Sequence, residues 1–273
     1  MLDVSVVMPI FNGARFLSDQ LASLQSQDFG GSWELLAVDN GSTDESTAVL
    51  QAFAGALPLR AMATSSPGKA HALNDALWGA KGRYLVFCDQ DDVMTPSYLS
   101  EMVRALEAWA VAGGRLEHDA LNPGWPKMFR DQVDGLPRLG PFVFSNGAAL
   151  GARADVARDL GGFRSDVGVA DDIDFCLRAQ LAGHEVGWVP AAELHYRHRR
   201  TVRAAFKQAV GYAQGERRLA AKYPFMTPYI GRRRPLPAEL RVIAALTVRA
   251  RSLGPRLQAA HRAGRLVGLL AHR

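Results

Sequence analysis

Tyr84-Leu85-Val86-Phe87-Cys88-Asp89-Gln90-Asp91-Asp92 is the stretch on which the fold turns. Its first five residues are apolar throughout, as in a strand buried on both faces, and three carboxylates in four residues follow at once. Carboxylates packed so closely repel one another unless a cation neutralises them. An acidic turn capping the next helix would have the same composition, because Asp is favoured at turns and caps. A strand of this kind needs neighbours, and they lie upstream. Val4–Ile10 is a nearly continuous β-branched run, Leu35–Val38 is a second short strand, and Leu57–Met62 is a weaker third. Between them Phe16, Leu17, Leu21 and Leu24 recur at helical spacing, and Ala70–Ala80 is helical in composition. Thr95 and Pro96 open a further helix through Ala110. This alternation predicts an α/β fold with a mostly parallel, Rossmann-like sheet flanked by helices.

In such sheets ligands bind outside the carboxyl ends of the strands. Three polar clusters fall there: Phe11-Asn12-Gly13, Asp39–Asp44 and Asp89–Asp92. In the second, Ser42 or Thr43 is the expected cap of the following helix. Asp39, at the strand's end, could accept hydrogen bonds from a nucleobase or ribose. Gly68-Lys69-Ala70 opens a helix, where a lysine opposes the dipole. Either it faces a bound anion or it is simply solvated. The spacing is not that of a P-loop.

The middle of the chain is less regular. Gly113–Pro141 holds five glycines and four prolines and reads as a long connection or flap. Phe142–Leu150 returns to strand character, and Ala152–Leu160 is a short helix ended by Gly161-Gly162. Asp171–Leu181 is a helix with an acidic start, which suits the dipole and also suits a general base for an incoming hydroxyl. Val186–Val189 and Leu194–Tyr196 are short strands, and Val202–Tyr223 is a longer helix. His195 stands in Leu194-His195-Tyr196-Arg197-His198-Arg199-Arg200, a cluster able to bind an anionic phosphate. One imidazole there could complete a metal site with the Asp pair.

Composition bounds the rest. The 273 residues are 48% hydrophobic and 22% charged, enough for a core, which excludes wholesale disorder. No apolar run approaches the roughly 20 residues of a membrane span. The start, MLDVSVVMPIFNG, carries an acid and a proline where a signal peptide needs a basic start and an unbroken apolar stretch. Cys88 and Cys176 lie in apolar segments and read as core residues, which fits a reduced, cytoplasmic setting. The net charge of +5 divides unevenly: residues 224–273 hold ten arginines, no lysine and one acid, and residues 1–223 hold 22 basic and 26 acidic groups. A catalytic domain over 1–223 and a basic, mainly helical extension over 224–273 are expected.

Several segments together resemble the family 2 glycosyltransferases of the GT-A fold. They are Val4-Ser5-Val6-Val7-Met8-Pro9-Ile10-Phe11-Asn12, Val38-Asp39-Asn40-Gly41-Ser42-Thr43-Asp44, Gly68-Lys69-Ala70 through Asn74, and Phe87-Cys88-Asp89-Gln90-Asp91-Asp92. Gly161-Gly162-Phe163, then Asp171-Asp172-Ile173-Asp174 with Arg178, completes the set. The resemblance spans roughly residues 3–200. It implies a nucleotide-diphosphate-sugar donor, a hydroxyl acceptor, Mn²⁺ or Mg²⁺, and inversion at the sugar. Carried over, Pro9, Phe11, Asn12 and Asp39 frame the nucleoside, and Lys69, Asn74, Asp89 and Gln90 belong to the donor site. Asp91 ligates the metal, and His195 completes the metal site. Asp172 is the base, with Asp171 as the alternative, because Asp171 stands where the family usually has Glu. The sequence has no QxxRW motif, which implies single additions rather than processive synthesis.

Two other readings compete. A sugar-1-phosphate nucleotidyltransferase would share the sheet and the acids, but its glycine-rich pyrophosphate loop is missing. A non-catalytic binder would rest on the arginine tail. The acidic body argues against nucleic acid as its ligand. Arg232-Arg233-Arg234, followed by Leu240, Val242, Ile243 and Leu246, suggests instead a peripheral contact with an anionic membrane face.

Overall fold

The computed structural model describes residues 2–64, 66–123, 134–230, 236–248 and 253–270. The strands are β1 (Leu2–Ile10), β2 (Trp33–Asp39), β3 (Leu59–Ala63), β4 (Gly82–Phe87), β5 (Val93–Met94), β6 (Val111–Glu117), β7 (Arg138–Leu139), β8 (Phe142–Val143), β9 (Leu150–Arg153) and β10 (Val186–His195). The helices are α1 (Ala14–Gln25), α2 (Ser46–Phe53), α3 (Lys69–Gly79), α4 (Tyr98–Ala108), α5 (Ala154–Asp159), α6 (Asp171–Leu181), α7 (Val202–Lys222), α8 (Leu236–Val248) and α9 (Leu253–Leu270).

Among the described residues, eight strands form one sheet in the order β3-β2-β1-β4-β9-β6-β10-β5. β1 to β4 run parallel, β9 runs antiparallel between β4 and β6, and β10 is parallel to β6. The sheet is mostly parallel, as the alternating pattern predicts. β1 shows why its sequence is mostly apolar. Val4, Val6, Met8 and Ile10 pack with Leu17, Leu21 and Leu24 of α1, whereas Val7 packs on the other face with Leu73 and Leu77 of α3. Burying each such side chain contributes about 1.5–3 kcal/mol, and buried Ser5 among them is hydrogen-bonded, its hydroxyl donating to Glu34 Oε1 at 2.7 Å.

Three local expectations need correction. Gly113 and Gly114 belong to central strand β6, not to a flap. A Cβ on Gly113 would come within 2.7 Å of Ser145, and one on Gly114 within 2.6 Å of the Ala192 carbonyl. These glycines mark close approach, and their composition imitates a loop. Part of the expected flap, residues 124–133, lies outside the described residues. The strand expected over Phe142–Leu150 is broken: β8 is two residues long, and a 3₁₀ turn at Gly147–Ala149 leads into β9. The two short strands expected after Val186 are one strand, β10, with a register shift between Val189 and Glu193.

The described residues cluster into two compact units. One gathers those up to Ala120, those from there to Ser165 that follow residue 130, and Asp171 to Arg197. The other gathers those of 121–130, Asp166–Ala170 and His198 onward. In the second unit α9 lies tightly along α7. A Cβ on Gly264 would fall 2.4 Å from the Phe206 carbonyl, and one on Gly268 2.6 Å from that of Val210. Across the same unit, Glu239 of α8 accepts from Arg262 of α9 at 2.8 Å. Leu240 is exposed, whereas Val242, Ile243 and Leu246 are half-buried. The Arg232-Arg233-Arg234 run lies outside the described residues. Among the described residues no helix is long and apolar enough to cross a membrane.

Candidate active site

The carboxyl ends of β1, β2 and β4 are stitched together by side chains bonding to backbone. Asn12, just after β1, has φ +49°, a left-handed conformation that Asn tolerates better than most residues. Its Oδ1 accepts from the Thr43 amide at 2.8 Å, and its own amide donates to Ser42 Oγ at 3.0 Å. Asp39 Oδ1 accepts from the Ser42 amide, three residues on, at 3.0 Å and so fixes the turn at the end of β2. Ser42 and Thr43 are thus engaged with the β1 loop rather than capping α2. The residue that meets the start of α2 is Asp44, whose Oδ1 accepts from the Ser46 amide at 3.1 Å. The Ser46 hydroxyl holds the Asp44 carboxyl below the usual range. Asn40 Oδ1 accepts from the Gly68 amide at 3.0 Å, joining this turn to the residue before α3.

The acidic loop after β4 is bound into the same frame. Gln90 accepts from the Phe11 amide and donates to the Phe11 carbonyl, both at 2.9 Å. Its amide therefore pairs with the end of β1 as a neighbouring strand would. Gly13 leaves room for it: a Cβ there would lie 2.2 Å from Gln90 Oε1, and the Gln90 amide would have to shift. The Phe11 ring itself is 55% exposed at the mouth of this frame. Pro9 sits one residue short of the strand end, paired with Val38.

Asp89, Asp91 and Asp92 each place a carboxylate oxygen within 4.8 Å of the others. Asp92 is 1% exposed and Asp91 is buried. Lys69, the first residue of α3, reaches Asp89 Oδ1 at 2.5 Å. Burial works against the Lys69 charge, but Asp89, with Asp171 and Asp172, more than offsets it and raises its pKa. Asp92 joins Asp89 and Asp91 in the acidic group. His195, opposite Val93 where β10 pairs with β5, meets Glu193 at 3.2 Å instead, and Glu193 is ion-paired with Arg115.

The start of α6 supplies the second pair of acids. Asp172 Oδ2 accepts from the Gly147 amide at 2.8 Å. Burial, reinforced by the neighbouring Asp171 charge, raises the Asp172 pKa to about 7. Burial raises that of Asp171 as well, with Lys69 opposing. The third acid of this turn has different work. Asp174 accepts from Arg178 Nε at 2.7 Å, and Arg178 also donates to the Gly162 carbonyl at 2.6 Å. That buried pair ties the Gly161-Gly162 turn to α6, so it positions the helix. Asn74 serves the same turn: it accepts from the Phe163 amide at 2.7 Å and donates to the Phe163 carbonyl at 2.8 Å. The structure thus uses the Asn74 amide as a clamp on the Phe163 backbone. Phe163 in turn stacks on Phe175 of α6, with ring centroids 4.8 Å apart.

Sequence reasoning missed the Gly147 amide, the place of Asp92 and the use of Arg197. Arg197 is 8% exposed. Its amide donates to Asp92 Oδ1 at 2.8 Å and its Nε to the Asp91 carbonyl at 2.7 Å. The run of basic residues had suggested phosphate binding, but this guanidinium faces the underside of the acidic loop. For Gly147 no side-chain signal exists, since the donor is backbone.

The chain is similar to known proteins. The chain is 31% identical over 104 residues to the poly(ribitol-phosphate) β-N-acetylglucosaminyltransferase TarS of Staphylococcus aureus (strain Mu50), over 37% of this chain and 18% of TarS. It is 30% identical over 100 residues to WfgD of Escherichia coli, a UDP-Glc:α-D-GlcNAc-diphosphoundecaprenol β-1,3-glucosyltransferase, over 37% of this chain and 39% of WfgD. The chain therefore spans well under half the length of these curated relatives. The structure of the mannosyltransferase PcManGT from Pyrobaculum calidifontis, in complex with GDP-Man and Mn²⁺, superposes with a TM-score of 0.69 at 20% identity, covering 100% of this chain and 90% of that one. That likeness establishes the GT-A fold. A second model, glycosyl transferase family group 2, matches residues 84–253. The glycosyl transferase family 2 model matches residues 5–153, more than half of the sequence and the part that carries both the stitched strand ends and the acidic loop, and the chain belongs to that family.

Proposed function

We propose that the chain moves one sugar from a nucleoside-diphosphate sugar to an acceptor hydroxyl, inverting the anomeric carbon, with Mn²⁺ or Mg²⁺ held at the acidic loop. The observation that carries this reading is Asp172: a carboxylate at a helix start, oriented by the Gly147 amide, with its pKa raised to about 7. A general base works best with a pKa near the working pH. Asp172 takes the proton of the acceptor hydroxyl. The freed oxygen attacks the anomeric carbon from the face opposite the diphosphate. The bond from that carbon to the diphosphate oxygen breaks, and its electron pair leaves with the nucleoside diphosphate.

The donor set at Asp89, Asp91 and Asp92 fits a hard divalent cation, because all three contribute carboxylate oxygens in close reach. When bound, such a cation offsets charge on the departing diphosphate. Lys69 adds fixed positive charge beside the same loop. Pro9, Phe11, Asn12 and Asp39 frame the nucleoside, and Gln90 holds that frame to the acids. We leave His195 out of the ligand set because its ring is engaged with Glu193.

The nucleotide sugars in the names of WfgD and the PcManGT complex support the donor class. WfgD's lipid-linked acceptor supports a role in glycan or glycolipid assembly, and we propose that this takes place at the cytoplasmic face of a membrane, with the basic C-terminal segment as its peripheral contact. The deciding experiment compares two variants. Asp91→Asn is expected to lose metal-dependent donor binding. Asp172→Asn is expected to bind donor and fail to transfer, and full transfer by that variant would remove Asp172 from the base role.

A further inference from the structure

We infer that Arg197 is the positioning residue of the acidic loop: it holds Asp91 and Asp92 in the arrangement a divalent cation needs and does not itself bind phosphate. The inference rests on the reading of that loop as a cation site.

Arg197 follows β10 by two residues, where the chain turns back under the loop it has just paired beside. That pairing is local and specific. His195 lies opposite Val93 and Leu194 opposite Met94, the two residues directly after Asp92. The Arg197 amide then donates to Asp92 Oδ1, and its Nε donates to the Asp91 carbonyl. The far end of the same side chain reaches α1. Its Nη2 donates to Asp19 Oδ2 at 2.8 Å, and its guanidinium carbon sits 4.5 Å from the centroid of the Phe16 ring. Asp19 and Phe16 are three residues apart and share one side of that helix.

A planar guanidinium with five donors in a fixed fork is suited to such a bridge, and an ammonium on a flexible stem is not. The geometry has a purpose because Asp92 is almost wholly buried. A buried carboxylate must be hydrogen-bonded and matched in charge, or it is costly to keep ionised. Arg197 provides a backbone donor to Asp92, and its guanidinium donates to the Asp91 carbonyl of the same loop. It also sets the backbone of Asp91, and so the direction in which that side chain leaves the loop. Gln90 fixes the loop to the end of β1, and Arg197 fixes it to α1, which begins at the same strand end. The loop is thus held at two points that share one rigid base. Partners that orient a metal's ligands typically matter about 10–100-fold in metal affinity.

The test titrates the full chain with Mn²⁺ alone, following free Mn²⁺ by electron paramagnetic resonance, and records thermal unfolding without metal. Arg197→Lys keeps a positive charge near Asp19 but loses the fork. It is expected to stay folded and to weaken Mn²⁺ binding at least about tenfold. Asp19→Asn alters only the exposed end of the bridge and leaves the bonds to residues 91 and 92 possible. It is expected to weaken Mn²⁺ binding by a smaller factor, about two- to fivefold, with unchanged unfolding temperature. In transfer assays Arg197→Lys should raise the Mn²⁺ concentration needed for half-maximal rate, while the rate at saturating Mn²⁺ recovers. Wild-type Mn²⁺ affinity in a folded Arg197→Lys chain would overturn the inference. If that variant does not fold, unchanged affinity in Asp19→Asn overturns it equally. Absence of Mn²⁺ binding by the wild-type chain would instead sink the cation reading itself.

Discussion

Asp172 receives the Gly147 amide on its Oδ2 at 2.8 Å and the Ile173 amide on its Oδ1 at 2.7 Å, and these two bonds orient a carboxylate otherwise raised by burial and by Asp171. Both bonds favour the ionised form, whereas burial favours the protonated one. The outcome is an acid poised to change state near neutrality.

The rate of transfer should therefore depend on pH through this group. With Asp172 as base, kcat should rise with pH through about 7 and level off above it. A kcat that is flat from pH 5.5 to 8.5 would contradict the assignment. Asp172→Asn should lower kcat by about 10²–10⁴ at pH 8, with donor affinity retained.

Stability should run the opposite way. The folded carboxyl keeps its proton up to about 7, whereas the unfolded one releases it near pH 4, about the ordinary Asp value. Over that interval the folded state binds more protons, so unfolding free energy falls as pH rises. Denaturant titrations of wild type and Asp172→Asn should converge near pH 4. The variant should be the more stable at pH 8, and a wild type that gains on the variant between those limits would refute the sign.

Gln90 and Gly13 form a second testable unit. Gly13→Ala puts a methyl group into the space of the Gln90 amide and should displace it from Phe11. Donor affinity should drop at least about fivefold, on the order of 1 kcal/mol for a lost hydrogen bond. Gln90→Leu should reproduce the loss, and combining the two should add little, since both break the same contact. Strict additivity of the two effects would argue that Gly13 acts elsewhere.

Asn74 separates a clamp from a ligand. Asn74→Ala removes two bonds to the Phe163 backbone and should cost about 1–3 kcal/mol of stability. Because the clamp holds the turn before α6, kcat should fall while nucleotide affinity stays near wild type. A selective loss of nucleotide affinity in a fully stable variant would restore Asn74 to the donor site.

For the basic C-terminal segment the informative variant is charge reversal. Deleting residues 232–273 would also remove α9, whose glycines seat it against α7. Arg232→Glu, Arg233→Glu and Arg234→Glu together should abolish sedimentation with vesicles rich in phosphatidylglycerol and spare donor hydrolysis. Undiminished sedimentation would reject a lipid contact there.

The parallel half of the fold was legible because strands buried on both faces are rich in apolar residues, and β1, β2 and β4 each carry such a run: Val6–Ile10, Leu35–Val38 and Tyr84–Phe87. The acids and the helix start at Asp171 were legible as clusters of charge. What escaped notice depends on contacts distant in sequence. Gly113 and Gly114 resemble a loop until Ser145 and Ala192 are placed beside them. Ser42 and Thr43 resemble helix caps until Asn12 is brought across to them. His195 lies outside that pattern, since its ring meets Glu193, two residues earlier in the same strand.

Cys88 and Cys176 are both buried, and burial pushes each thiol up to about 12. The thiolate is the form that alkylates, so neither should react with maleimide at neutral pH while the chain is folded. These are the sequence's two cysteines. A cysteine introduced at exposed Trp78 would then be the single site to take a fluorophore or spin label, with both native thiols left in place.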